Sequence, residues 1–341
     1  MRYGPRRSGR EGLQEVASRE VGVSAGAEGT VAGSTSRPRA VVVSASRRTD
    51  IPQFYGRWFA ERRRAGVVAF RTAFGTPGQA SLRREDVLGY LFWTKFAAPF
   101  RPILLELLSD QVPFAFQYTV NGYGPALERQ VPSLNVVLRD VVAIRAMLPG
   151  AACLEWRYDP IVLDRDRSAD WHVQHFGALA RELRGVVNVV NVSVVEPYLK
   201  TVRRMRPLTE EVLYRHDRGN APRRPQSVDS AGPEMATLLT DLQRLAAEVG
   251  IELRACSNPE WDFPASRCAS ADVFLPWGEA VDGIQELAPR PSRPGCRCLA
   301  VVDIGMDNTC MGGCLYCYAT ASDEVAQRNF ARHDPLGASL R

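Results

Sequence analysis

The sequence predicts an α/β protein of parallel strand and helix units, most economically a (β/α)8 TIM-like barrel, with a doubly wound sheet as the alternative. Three observations predict it. Eight short apolar runs, each bounded by turn or polar residues, recur between residues 41 and 304. Segments of helical period lie between them. The chain of 341 residues is 45% hydrophobic, enough for one large core. Residues 39–341 are therefore expected to form a single barrel domain.

Residues 1–38 come first and differ in kind. Arg2, Arg6, Arg7 and Arg10 lie among Gly, Ser, Ala and Glu, with few large apolar residues, so a disordered basic arm is expected. Glu11, Glu15, Glu20 and Glu28 argue against an organelle transit peptide. Residues 41–46 form the first strand, followed by the turn Arg47-Arg48-Thr49-Asp50 and a helix opening at Pro52, where proline suits the first turn. Arg62, Arg63 and Arg64 suit the solvated C-terminal end of that helical region. Residues 67–71, 90–94 and 113–119 are the next strands.

A helix then carries Leu134, Val137, Leu138, Val141, Ile144 and Leu148 on one stripe and stops at Gly150. Strand 154–159 follows, with Cys153 before it as a core residue. His172 and His175 lie three apart, a spacing expected on the exposed side of an outer helix more than at a metal, since no third ligand is adjacent. Strand 186–195 precedes residues 217–233, which read as a surface loop rich in Arg, Pro and Ser. A second striped helix with Met235, Leu238, Leu239, Leu242, Leu245 and Ala246 runs to Gly250 and strand 251–256. Residues 285–294 hold three prolines and form a stiff loop before strand 299–304. A helix is expected over 319–332.

Function is carried by the cysteines. Cys310-Met311-Gly312-Gly313-Cys314-Leu315-Tyr316-Cys317 spaces three thiols C-x3-C-x2-C in the loop 305–318, just after the last strand. Thiolates this close can share one small volume only if the backbone wraps, and Gly312 and Gly313 permit the positive backbone angles for it. An iron-sulfur cluster with one iron left open is the favoured occupant, since four cysteines would saturate it. Zinc, which prefers paired hooks and four ligands, and buried free thiols are the alternatives. Cys256, Cys268, Cys296 and Cys298 could complete a second site: another iron-sulfur cluster, a structural zinc, or ordinary thiols.

The cysteine run resembles the cluster loop of radical SAM enzymes. That resemblance implies a [4Fe-4S] cluster held by Cys310, Cys314 and Cys317, whose open iron chelates the amino and carboxylate groups of S-adenosylmethionine. An electron from the cluster then cleaves that cofactor to a 5'-deoxyadenosyl radical, with Tyr316 beside the adenine. It also implies an electron donor such as a ferredoxin or flavodoxin. Those enzymes usually carry the loop on their first strand, whereas here it follows the last, as in a circularly permuted radical SAM-type barrel. Their Gly-Gly-Glu-type element is replaced here by Ser44-Ala45-Ser46-Arg47.

The chain is also similar to an uncharacterised bacterial family, a domain of unknown function with radical-SAM-like cysteines at its C-terminus. The matching stretches are Ser44 through Pro52, Phe92-Trp93-Thr94-Lys95, Phe116-Gln117-Tyr118-Thr119, Trp156 through Pro160, Val302 through Gly305, and the cysteine run with Tyr318 and Ala319.

Several of those stretches end a strand on polar groups, so Ser46, Arg47, Arg48, Asp50, Lys95, Gln117, Arg157 and Asp159 are expected around the barrel mouth. Arg47, Arg48, Lys95 and Arg157 would favour an anionic substrate. The competing reading is structural ion pairing, as between Arg157 and Asp159. Trp93, Tyr118, Trp156 and Tyr158 are barrel layers or substrate stackers. No Walker, dinucleotide or G-x-S-x-G pattern with suitable flanks is present.

The formal charge of +5 is mild and by itself demands no nucleic-acid partner. No apolar signal stretch or membrane-length run is seen, so a cytoplasmic protein without disulfides is expected. Three functions remain open at this point. The favoured one is a radical SAM-type enzyme on an unknown substrate. The others are a non-catalytic iron-sulfur or zinc module for electron transfer or structure, and a nucleic-acid repair or binding protein using the basic arm.

Overall fold

The computed structural model describes residues 40–206, 214–215, 227–228, 232–258, 261–293 and 295–341. The expected basic arm and most of the expected loop 217–233 lie outside these residues. The strands in chain order are β1 (Val41–Ala45), β2 (Val67–Arg71), β3 (Pro77–Ser81), β4 (Val87–Thr94), β5 (Phe114–Thr119), β6 (Leu154–Ile161), β7 (Val189–Val194), β8 (Tyr214–Arg215), β9 (Ser227–Val228), β10 (Glu252–Ala255) and β11 (Val301–Asp303). Seven of them form one parallel sheet in the order β10-β7-β6-β5-β4-β1-β11. The remaining four make two separate pairs, β2 with β3 and β8 with β9.

One expected strand leaves the sheet. Residues 67–71 do form β2, but it pairs antiparallel with β3 instead of joining the parallel array. The cause is the short connection: Thr72 N donates to Thr76 O at 2.9 Å around Gly75, and a parallel partner would need a crossover of roughly a dozen residues or more. Periodicity alone does not carry that information.

The register sorts the sheet into two unlike faces. On one, Val43, Tyr90 and Phe114 lie side by side, as do Ala45, Phe92, Phe116 and Leu154, and Thr94, Tyr118, Trp156 and Val190. Helices cover this face. From α2 (Gly56–Ala65), Phe59 packs on Tyr90 at 5.1 Å and Phe92 at 5.6 Å. From α5 (Ala169–Glu182), Phe176 stacks on Trp156 at 4.9 Å. Such aromatic pairs add roughly 0.5–1.5 kcal/mol each beyond the burial of their area. Tyr118, Trp156 and Tyr158 are thus core beneath helices, and of the four expected stackers only Trp93 faces the other way.

The opposite face is polar. Ser44 adjoins Asp303, Trp93 adjoins Gln117, Gln117 adjoins Glu155, and Arg157 adjoins Asn191. These buried groups bond one another: Gln117 Nε2 donates to Glu155 at 2.6 Å and Asn191 Nδ2 donates to Glu155 at 2.8 Å. Between β10 and β11 no ladder forms among the described residues, and residues 264–269 run there instead. Ser266 N donates to Ala255 O at 2.8 Å, and Leu299 N donates to Ala269 O at 2.8 Å.

Two helix ends match the expected signals. Asp50 caps α1 (Ile51–Phe54), accepting from Gln53 N, with proline in the first turn. Helix α2 carries Arg62, Arg63 and Arg64 in its last turn and ends at Gly66 with φ 70°, a left-handed cap. Helices α4 (Leu134–Ala146), α7 (Pro233–Glu248) and α8 (Asp323–Ala331) fall where expected. Among the described residues, no helix is long and apolar enough to cross a membrane.

Candidate functional site

The cysteine loop begins where β11 ends, and one carboxylate anchors it. Asp303 accepts from Ser44 Oγ at 3.0 Å, Ser46 Oγ at 2.9 Å, Arg47 N at 2.9 Å and Gly305 N at 3.1 Å. Arg48, only 8% exposed, adds an ion pair to Asp303 and donates to the carbonyl oxygens of Arg71 and Gly305. It is thus a structural tie and not a free pocket cation. Gly305 has no room for a side chain, since a Cβ there would stand 1.8 Å from Ser46 Oγ. Thr49 and Thr309 share a 2.7 Å hydrogen bond, and Tyr55 donates to Thr309 O at 2.6 Å.

Beyond Thr309 the chain wraps against the loop that follows β5. Gln130 N donates to Gly312 O at 3.2 Å and Leu315 N donates to Leu127 O at 2.9 Å. Gly313 has the expected positive φ, 66°. Gly312 serves differently: the sulfurs of Cys310 and Cys314 lie 3.5 and 3.7 Å from where its Cβ would be, so both thiols face this one glycine. Cys317 N donates to Cys314 O at 3.2 Å, which keeps the third cysteine in the same turn. Burial pushes the Cys310 thiol up to about 12, with Cys317 and Asp50 adding to it. Cys314 is also raised by burial, and the Lys95 ammonium opposes the rise.

Lys95 and Asp50 stand beside these thiols. Lys95 Nζ pairs with Glu128 at 2.7 Å and lies 5.5 Å over the Tyr316 ring. Tyr316 itself donates to Glu128 and accepts from Asn121 Nδ2 at 3.0 Å, so it is buried and fixed. Burial pulls the Lys95 ammonium down, but Glu128 and Cys314 outweigh it and the net shift is upward. Asp50 accepts from Lys95 N at 2.9 Å and Thr94 Oγ1 at 2.8 Å. Burial raises it to about 6 despite those bonds.

A second group of thiols sits at the β10 end of the sheet. Cys256 follows the last residue of β10, Cys268 lies in the segment that pairs with Ala255, and Cys298 precedes Leu299, which bonds back to Ala269. These backbone bonds bring three cysteines to one neighbourhood, and Cys296 joins them two residues from Cys298. Each thiol shifts the proton affinity of the next, in the order Cys256, Cys268, Cys298, Cys296. Two guanidinium groups bond this series: Arg157 Nη1 reaches Cys268 Sγ at 2.8 Å and Arg293 Nη2 reaches Cys256 Sγ at 3.3 Å. All eight cysteines of the chain are free thiols. Among the described residues, no three His, Cys, Asp or Glu side chains form a ready-made metal cage.

The expected pocket residues thus divide between two neighbourhoods. Asp50 and Lys95 adjoin Cys310 and Cys314, whereas Gln117 and Arg157 adjoin Cys268 and Asp159 stands behind Arg157. Arg157, 5% exposed, pairs with Asp159 and donates to Gln117 Oε1 at 3.3 Å. Burial acts to raise Asp159, but the Arg157 charge and the Ser193 hydroxyl hold it below the usual carboxylate range. Trp93 joins the two halves, with the Arg47 guanidinium 5.3 Å and that of Arg157 5.1 Å from its ring centre. Arg47 Nη2 is buried without a hydrogen-bond partner. Ser46 points its hydroxyl away to Asp303.

A family model described as a domain of unknown function, DUF1848, matches residues 42–319. The chain belongs to this family. Comparisons with curated proteins and with solved structures find no match. The matched span of the DUF1848 domain opens in β1 and closes just past Tyr318, so it contains both thiol groups, Asp303 and the Trp93 bridge.

Two expectations within the DUF1848 domain change. His172 is fully buried, not exposed on an outer helix face. Its Nε2 donates to Val162 O at 3.0 Å, a carbonyl that can only accept, so Nδ1 accepts from Tyr158 at 2.6 Å. Both nitrogens are used, and burial lowers the imidazole to about 4. His175 bonds Asn121 O at 2.7 Å. Glu128, Glu155, Asn191, Arg293 and Asp303 are contacts that spacing did not single out. For Glu155 and Asn191 the signal was present: each is a polar residue alternating with apolar ones in its strand.

Proposed function

We propose that the chain is an iron-sulfur enzyme of the radical SAM type, in which Cys310, Cys314 and Cys317 hold a [4Fe-4S] cluster and S-adenosylmethionine completes it. The observation that carries this reading is the wrapped loop after β11, where the thiols of Cys310 and Cys314 face Gly312 and Cys317 N donates to Cys314 O within the same turn. The donor set fits. Three soft sulfurs suit iron-sulfur chemistry, no fourth cysteine lies in the loop, and the Lys95 ammonium can balance thiolate charge. When bound, such a cluster supplies the single electron that cleaves S-adenosylmethionine.

The chain's own part is positioning. Asp303 and its donors hold the start of the loop against β1, and the Glu128 pair fixes Lys95 and Tyr316 beneath it. Tyr316 is the residue that the resemblance sets beside the adenine. Arg47, with a buried unpartnered nitrogen, is the group best suited to an anionic ligand, either the cofactor carboxylate or an acidic substrate. Trp93 offers the adjacent flat surface.

The polar sheet face, together with residues 264–269 running between β10 and β11, supports reading the sheet as a curled, barrel-like array with a polar lumen. Its permuted order would follow from the loop standing after the last strand. Eight free thiols suit a reducing cytoplasm. A ferredoxin or flavodoxin is the class of donor that would reduce the cluster.

Anaerobic reconstitution tests the proposal. The reduced protein should give an EPR signal that S-adenosylmethionine perturbs, and should release 5'-deoxyadenosine. Cys314→Ala should abolish both. A cluster indifferent to S-adenosylmethionine would overturn the enzymatic reading in favour of an electron-transfer or structural module.

A further inference from the structure

We infer that Cys256, Cys268, Cys296 and Cys298 form a second metal site, one that takes an iron-sulfur cluster through four thiolates. The inference goes beyond the proposed function and stands without it. Its foundation is backbone geometry. Ala255 pairs with Ala265, and Leu299 bonds Ala269, so three consecutive extended segments each deliver one cysteine to the same edge of the polar face. The Cys296-Arg297-Cys298 step supplies the fourth. Four cysteines that lie as much as 42 residues apart in sequence become neighbours.

These cysteines border the hydrophobic core, yet charged and hydroxyl donors reach their sulfurs. Cys268 is almost fully buried, yet it receives Arg157 at 2.8 Å and contacts the Ser266 hydroxyl at 3.0 Å. Cys256 receives Arg293, and Cys296 receives the Ser292 hydroxyl at 3.7 Å. Two guanidinium groups aimed at neutral thiols would gain little. Aimed at thiolates, they form charge-assisted bonds of the kind that stabilise an anionic cluster and tune its potential. Metal takes these side chains as thiolates, so binding releases thiol protons and forms metal-sulfur bonds within the group.

Sequence spacing separates iron from zinc. Zinc sites use paired hooks with two to four residues between ligands. Here Cys296 and Cys298 have one residue between them, while Cys256 and Cys268 stand singly. Four thiolates leave a cluster coordinatively full, so this site is suited to holding electrons and not to binding substrate.

The test counts metal in the anaerobically reconstituted full chain. A Cys310→Ala/Cys314→Ala/Cys317→Ala variant should retain about four iron and four sulfide per chain, with an EPR signal insensitive to S-adenosylmethionine. Cys296→Ala, at the less buried end of the series, should lose about four iron from the wild-type total while leaving any S-adenosylmethionine-sensitive signal in place. A triple variant with no iron, or with about one zinc, would overturn the inference. So would a Cys296→Ala protein with undiminished iron. If only the proposed function is wrong, either wild type and triple variant will carry the same iron or the iron lost in the triple variant will be indifferent to S-adenosylmethionine; if only this site is wrong, all bound iron will respond to S-adenosylmethionine.

Discussion

One thiol group follows β11 and the other gathers beside β10, the two strands that close the sheet order, and they are assembled by opposite means. Cys310, Cys314 and Cys317 are near neighbours in sequence, and their loop is shaped by contacts with the segment after β5. Cys256, Cys268, Cys296 and Cys298 are scattered, and strand pairing brings them together. Their charge environments differ as well. Beside the first group stands one ammonium, already satisfied by Glu128. The second receives guanidinium bonds directly on sulfur. In the proposed readings the local loop would leave a coordination position open, whereas the group gathered along the sheet would fill all of its own.

Breaking each group's own ion pair tests that contrast most severely. Glu128→Ala leaves the Lys95 ammonium unpaired near Cys314, and Arg157→Ala leaves Asp159 without its main partner. Each is expected to cost about 3–5 kcal/mol in chemical denaturation, as removal of one member of a buried pair does. Iron content of the folded fraction should separate them, with Glu128→Ala depleting the Cys310 group and Arg157→Ala the Cys268 group. Equal loss from both groups in both variants would show that they are not independent.

Gly305→Ala sharpens the comparison at smaller cost. Its Cβ would collide with Ser46 Oγ, and Ser46 cannot retreat without leaving Asp303. A loss of about 1–3 kcal/mol in thermal or urea unfolding is expected. Iron at the Cys310 loop should fall while the β10 side is unaffected.

The gentlest probe is pH, which acts on the shared scaffold. His172 has a folded value near 4 against an unfolded value near 6.5, because burial resists its charge. Below about 6.5 the unfolded chain takes up a proton that the folded one refuses, so stability present at neutral pH is lost as pH falls towards 4. The slope is at most about 1.4 kcal/mol per pH unit. From pH 7 to 5 the unfolding midpoint of wild type should fall relative to that of His172→Gln, since Asp50, raised to about 6, takes up a proton in the folded state of both proteins and opposes the decline equally. An unchanged slope would mean that another group governs acid sensitivity.

How much of this was legible in the sequence follows the same division. The Cys310 loop could be read directly, because spacing, glycines and the preceding strand all lie within a few residues. Most parallel strands could also be read, since apolar runs such as Tyr90–Thr94 fall within β4. The grouping of Cys256 with Cys268 and Cys298 needed residues 264–269 to run beside β10, and an irregular segment has no period to announce that. Strand β2 was misassigned to the parallel array because hydrophobicity does not state the direction of a neighbour. Asp303 and Glu128 act on partners remote in sequence, so nothing local marked them, whereas Gln117, Glu155 and Asn191 showed their polar face through alternation with apolar residues.

The Asp303 anchor has a consequence for the order of events in making this protein. Its hydroxyl partners on and after β1 are 259 and 257 residues away. During synthesis the opening strand must wait for nearly the entire domain before its serines find their carboxylate, and such distant closures are slow. Until then the Cys310 turn has no fixed entry. Metal loading at that turn, if it occurs as proposed, would be a late step, one that follows docking of β11 and cannot guide it.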